Sequence, residues 1–160
     1  VERSRGLGDV YKRQKSTKIT KTKCDILFLE GWCCGSSEIP KKILHKNINN
    51  LEKIKDPKYQ WRNFYNNKLK LEYKKLFKLF DELIFLKASS FDNVFKWRLK
   101  QEKTNQSKNK KSKRMTSNEI KYFVQHYEKI TKWMMKDLNK KAQIVIKFEK
   151  NHKISSINFN

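Results

Sequence analysis

Three short, nearly continuous apolar runs govern what this chain can fold into: CDILFL at 24–29, DELIFLKA at 81–88 and AQIVIKF at 142–148. Long amphipathic stretches studded with lysine separate them. An apolar run of about four to eight residues reads as a strand buried on both faces, and such strands alternating with helices give a parallel sheet covered by helices. The expectation is an α/β fold with parallel core strands near 25–30, 82–87 and 143–148 and helices on both faces. Residues 58–80 carry Trp61, Tyr65, Leu69, Leu76 and Phe80 near helical spacing, which predicts one long helix. Phe91 to about Gln101 predicts another, with Ser89 or Ser90 near its N-cap. A third starts at Thr116 or Ser117, where Thr116-Ser117-Asn118-Glu119 resembles a capping box, and carries Ile120, Phe123, Val124, Tyr127, Ile130, Met134 and Leu138. Residues 149–160 predict a turn and a short edge strand.

At 160 residues the chain has room for one domain, and a 12% aromatic content argues against a wholly disordered one. The formal net charge is +23, which invites a nucleic-acid partner. The surplus is 33 Lys against 6 Arg, scattered and accompanied by abundant Asn and Ile, the mixture an AT-rich genome produces. Base recognition favours the arginine fork, so a nucleic-acid role is the lesser reading. No apolar run approaches the roughly 18 residues of a membrane span, and nothing resembles a signal peptide. A cytoplasmic, soluble protein without a membrane partner is expected. Cys24, Cys33 and Cys34 read as reduced thiols, and His45, His126 and His152 lie too far apart in sequence to suggest structural zinc.

Residue 1 is Val, and residues 1–14 (VERSRGLGDVYKRQ) end in what one frame of a common transposase-adapter sequence encodes. They are read as translated adapter, which leaves 15–160 as the part that carries function and suggests a fragment. Residues 103–114 (KTNQSKNKKSKR) hold no hydrophobic side chain and predict a mobile, solvated loop.

A buried strand that ends in a carboxylate followed by Gly suits phosphoryl transfer. The strand end fixes the acid where it can orient Mg²⁺ or its waters, or accept a proton from an attacking hydroxyl. Glu30, followed by Gly31, fits that position, although strand-end acids are also common without such a role.

The blocks ILFLEGW at 26–32, Trp61-Arg62, FKWRLKQE at 95–102, Met115-Thr116 and FVQHYEKIT at 123–131 resemble, in order and spacing, the D-glycerate 3-kinase-like P-loop kinases. These are relatives of uridine kinase, pantothenate kinase and phosphoribulokinase. The resemblance runs from about Asp25 to about Phe148. It implies a three-layer α/β/α fold, here incomplete, with a parallel sheet missing its N-terminal P-loop strand, and 15–160 as the C-terminal part of one kinase domain. It also implies ATP- and Mg²⁺-dependent transfer of the γ-phosphoryl group to a hydroxyl of a small hydroxy acid or sugar-like acceptor, D-glycerate being the family's name substrate.

In that reading Glu30 is the Walker-B-type acid and the Mg²⁺ ligand, directly or through water. Residues 96–116 form the lid, from which Arg98 meets the nucleotide phosphates with its planar fork. The alternative for Arg98 is a surface pair with Glu102 at i,i+4. Lys96 and Lys100 share the phosphate duty or merely decorate the surface. Arg114 stands where the family pattern prefers Gly before the Met, and is a further phosphate candidate. Trp32, His126 and Thr131 are candidates for the acceptor side, while Trp61 and Tyr127 read better as core.

One absence is informative. A P-loop kinase cradles phosphates with GxxxxGK(S/T), and nothing in the sequence matches it. In the related kinases that loop lies upstream of the strand ending in Glu30, so the parent is expected to have it and the fragment to be inactive. Two other readings stand beside the kinase. One is a nucleic-acid-binding module using 103–114 with Trp97 and Trp133; the other is a noncatalytic, kinase-derived interaction domain.

Overall fold

The computed structural model describes residues 24–108 and 115–160. Its sheet has the order β1-β2-β3. β1 (Ile84–Ala88) and β2 (Ile144–Phe148) pair in parallel, with Ile84 opposite Ile144 and Ala88 opposite Phe148. β3 (Ile154–Phe159) returns antiparallel on the far side of β2, as the C-terminal sequence predicts. Four short helices precede the sheet: α1 (Lys41–Leu44), α2 (Asn50–Lys55), α3 (Gln60–Lys68) and α4 (Lys74–Phe77). A parallel strand pair needs a long crossover, and two further helices supply it, α5 (Phe91–Lys108) and then α6 (Ser117–Lys141).

α6 organises the molecule. Thr116 opens it with a reciprocal capping box, its side chain accepting from Glu119 N at 3.2 Å while the Glu119 carboxylate accepts from Thr116 N at 2.7 Å. Along its buried stripe, Met134 and Leu138 pack with Phe85, Val145 and Ala142 as the core under the sheet. Upstream, the segment from Ile43 to Arg62 is tied to the same helix by charge. Arg62 is fully buried and donates to Asp56 at 2.8 Å and Glu52 at 3.3 Å, while Lys129 of α6 reaches Glu52 at 3.2 Å. Asn49, the N-cap of α2, extends its amide to the Gln125 carbonyl and the Glu128 carboxylate.

Several expectations are corrected. Residues 24–30 form no strand, because no described segment lies beside them to complete a ladder. Ile26, Leu27, Phe28 and Leu29 are all exposed. The three-stranded parallel sheet is thus a parallel pair with an antiparallel edge. The second face of that sheet, with Ile84, Leu86, Ile157 and Phe159, is apolar and largely uncovered by the described residues, so helices on both faces are not found. The long helix of 58–80 is interrupted by a π-helical segment, Leu69–Tyr73, between α3 and α4. α5 runs on to Lys108, past the predicted start of the loop at 103. No Gly or Pro lies there to stop it, and a polar helix needs no apolar face if solvent surrounds it. The remainder of the predicted loop, 109–114, lies outside the described residues, as do residues 1–14. Among the described residues no helix is long and apolar enough to cross a membrane.

Candidate active site

The segment that ends at Glu30 is exposed, and a tight turn comes directly after it. Cys34 N donates to Gly31 O at 3.3 Å and Ser36 N to Cys33 O at 3.1 Å. Cys33 takes φ 67°, and Gly35 takes φ +79° with no room to spare. A Cβ on Gly35 would sit 2.9 Å from both Leu83 methyls, so any other residue here would strain the backbone and displace Leu83. The turn half-buries Cys33, and that burial pushes its thiol up to about 11, Cys34 beside it adding to the effect. Burial also raises the Cys34 thiol, and the nearby Glu30 carboxylate adds to that rise while a backbone hydrogen bond at Gly35 opposes it.

The same turn delivers Trp32 onto α6. Its ring stacks on Tyr127 at 4.4 Å and 18°. Tyr127 tilts against Phe123 at 5.3 Å, and the Arg98 guanidinium of α5 lies 5.8 Å from the Phe123 ring centre. A continuous row, Trp32–Tyr127–Phe123–Arg98, therefore joins the turn after Glu30 to α5. Tyr127, read as core, is the middle of this row and only half-buried.

Arg98 is already engaged. It donates to Gln101 Oε1 at 2.9 Å and pairs with Glu102 at 3.1 Å. The i,i+4 pair foreseen as the alternative is present, and Glu102 is itself buried, accepting from Met115 N at 3.3 Å. To meet a phosphate the guanidinium would have to leave the buried Glu102 carboxylate, and its charge-assisted bonds to the phosphate would have to offset the cost of stranding that carboxylate. Lys96 and Lys100 lie on α5 and have no ion pair among the described residues. Arg114 lies outside the described residues.

His126 stands apart from this row. Its ring meets Trp61 edge-on at 5.4 Å and Tyr122 at 5.3 Å, and its Nδ1 lies 3.1 Å from Phe123 O. Thr131 sits on the buried stripe of α6, and its hydroxyl has no hydrogen-bond partner among the described residues. Among the candidates, then, Trp32 and Arg98 stand at the two ends of this row, Trp32 beside the turn after Glu30 and Arg98 on α5. His126 is turned about 100° round α6 from Tyr127, whereas Thr131 stands at i,i+4 from Tyr127, one turn further along the same side and buried. No cluster of three or more His, Cys, Asp or Glu that could hold a metal exists among the described residues. A lone exposed carboxylate such as Glu30 still fits Mg²⁺, which takes one or two carboxylates and otherwise keeps waters and substrate phosphates.

Sequence reading misses the aromatic row and the buried Glu52–Arg62–Lys129 cluster. Phe123 and Tyr127 at i,i+4 are the one local signal of the row. The cluster has none, since Lys129 is one lysine among 33.

No family model matches the chain. No curated protein matches it either. Among solved structures the chain is similar to D-glycerate 3-kinase from Cryptococcus neoformans var. grubii serotype A, with a TM-score of 0.69 at 19% identity, over 92% of this chain and 54% of that one. It is also similar to the YGR205w protein, with a TM-score of 0.51 at 21% identity, over 80% of this chain and 45% of that one. The chain has the fold of about half the length of each.

Proposed function

We propose that the chain is the acid-and-lid portion of an ATP-dependent kinase that phosphorylates a hydroxyl of a small hydroxy acid such as D-glycerate. The observation that carries this reading is the aromatic row. It links the turn after Glu30 to Arg98 through ring contacts, and an acid and a phosphate-binding cation are two of the groups that phosphoryl transfer uses. The fold shared with D-glycerate 3-kinase supports it.

In this proposal Glu30 accepts the proton of the acceptor hydroxyl or orients a water on the metal. Arg98 swings from Glu102 to the phosphates, and Lys96, Lys100 and Arg114 add positive charge from the lid. Trp32 walls the acceptor, with His126 and Thr131 as further candidates along α6. Mg²⁺ would supply charge neutralisation on the nucleotide phosphates. The sequence contains no GxxxxGK(S/T), so the phosphate cradle must come from a segment outside these residues. Trp97 supports the kinase reading over a nucleic-acid one: its indole N–H is spent on Lys150 O at 2.9 Å and its ring is stacked on His152.

The test is ATP consumption with D-glycerate and other small hydroxy acids. It compares the 160-residue chain, a longer protein carrying a strand and phosphate loop ahead of residue 15, and Glu30→Gln in the longer protein. The chain alone is expected to be inactive. Glu30→Gln is expected to lower turnover about a hundredfold or more, with nucleotide affinity less affected. A fully active chain, or a variant that turns over like its parent, would place the chemistry elsewhere.

A further inference from the structure

The π-helical segment Leu69–Tyr73 re-aims the helical turn beyond it. Widening a helix by one residue rotates the next turn by about 100° and sacrifices hydrogen-bond geometry, and such segments concentrate where a side chain must be redirected. Here the next turn carries Lys74, Phe77 and Lys78 into the wall of an open cleft of about 720 Å³. Leu69 shares that wall. The turn after Gly35 and the C-terminal half of α6 complete the cleft with Ser37, Trp133 and Asp137, and neither Glu30 nor Arg98 lines it.

The α6 side of the cleft is locked. The Ser37 hydroxyl donates to Asp137 at 2.6 Å and accepts from the Trp133 indole N–H at 3.1 Å, while Lys141 donates to the same Asp137 carboxylate at 3.0 Å. That chain of bonds satisfies the polar atoms and fixes the indole plane. Lys74 and Lys78 are in the opposite condition. They stand i,i+4 on one exposed face, where like charges repel, and have no ion pair among the described residues. Glu38, half-buried, also lines the cleft.

Two uncompensated ammonium groups beside an apolar surface of Leu69, Phe77 and a fixed indole suit a ligand with an oxyanion at one end and an apolar body at the other. We infer that this cleft binds a small organic anion, a phosphate monoester or carboxylate, with its headgroup at Lys74 and Lys78 and its body against Trp133 and Phe77. The inference does not use the kinase chemistry and stands or falls separately from it.

The test follows the Trp133 indole N–H by NMR, assigned through Trp133→Phe, as the full 160-residue chain is titrated with phenyl phosphate, phenylacetate, phenol or inorganic phosphate. Both organic anions are expected to give a saturable shift at about millimolar concentration, weakening as salt is raised. Phenol and inorganic phosphate should bind at least about tenfold more weakly, each lacking half of the contact. The double variant Lys74→Gln/Lys78→Gln should weaken phenyl phosphate about tenfold, and Glu38→Gln should tighten it about twofold. Both lysines are exposed, so the variants keep the fold, which circular dichroism checks. If only one of the two organic anions saturates, the surviving headgroup is the ligand class. No saturable shift, a shift indifferent to both lysines, or an equal response to phenol or to inorganic phosphate would overturn the site.

Discussion

Arg62 spends its whole guanidinium on partners within the protein: Nε on Asp56, one terminal nitrogen on Leu44 O and Glu52, the other on Asp56 O at 2.6 Å, and its flat face over the Tyr59 ring at 4.7 Å. With Lys129 it balances two buried carboxylates. Burial pulls the Lys129 ammonium below its ordinary range, and Glu52 pulls it partly back. Replacing such a pair with apolar groups can be nearly neutral, but removing one partner strands the others. Arg62→Met is therefore expected to cost about 3–5 kcal/mol in urea denaturation, against less than about 0.5 kcal/mol for Lys100→Met on the exposed face of α5. A cost for Arg62→Met no greater than that of Lys100→Met would mean that the cluster holds nothing.

The thiols give a second residue-scale prediction. With its thiol raised to about 11, Cys33 is ionised in only about one molecule in a thousand at pH 8. Iodoacetamide followed by peptide mass mapping should label exposed Cys24 first and Cys33 last. Cys33 labelling should accelerate as pH climbs toward 11. Linkage gives the sign for stability: between pH 9 and about 11 the unfolded chain releases the Cys33 proton while the folded chain keeps it, so this group's contribution to stability falls as pH rises. Equal labelling of Cys24 and Cys33 at pH 8 would contradict the burial of the turn after Trp32.

At the scale of elements, α6 is legible because its signals are local. The apolar spacing is helical from Ile120 to Leu138, and Thr116 and Glu119 stand at the separation a capping box requires. Thr116→Ala should lower stability by about 1 kcal/mol by thermal or urea unfolding, with little change in the cooperativity of the transition. No measurable loss would mean that the cap is idle. Elements that depend on neighbours are less legible. The CDILFL run has the composition of a strand, but a strand exists only beside another, and the described residues offer none. The π segment LKLEY carries no Gly, Pro or other local mark of its geometry. The end of α5 escapes the apolar pattern because a lack of apolar residues argues against burial, not against helix.

For the whole molecule, the β1–β2 pair, its two-helix crossover and the antiparallel edge strand accord with the order of apolar runs, and the likeness to D-glycerate 3-kinase is one of fold. The cleft at Lys74 and Trp133 and the cluster at Arg62 do not show in the sequence, because both join residues far apart in a chain where a functional lysine looks like any other. What most distinguishes the molecule is an apolar sheet face that the described residues leave uncovered and an apolar segment, Ile26–Leu29, that they leave unpaired. In the proposed kinase both would be covered by the segment that brings the phosphate cradle. Hydrogen exchange read residue by residue tests this most directly. In the 160-residue chain the amides of Val145 and Ile146, on the central strand, should be strongly protected while those of Ile26–Leu29 exchange as unstructured chain. In the longer protein with the upstream strand, Ile26–Leu29 should become protected as well. Protection of Ile26–Leu29 in the 160-residue chain, or its absence in the longer protein, would contradict a kinase fold completed by that strand.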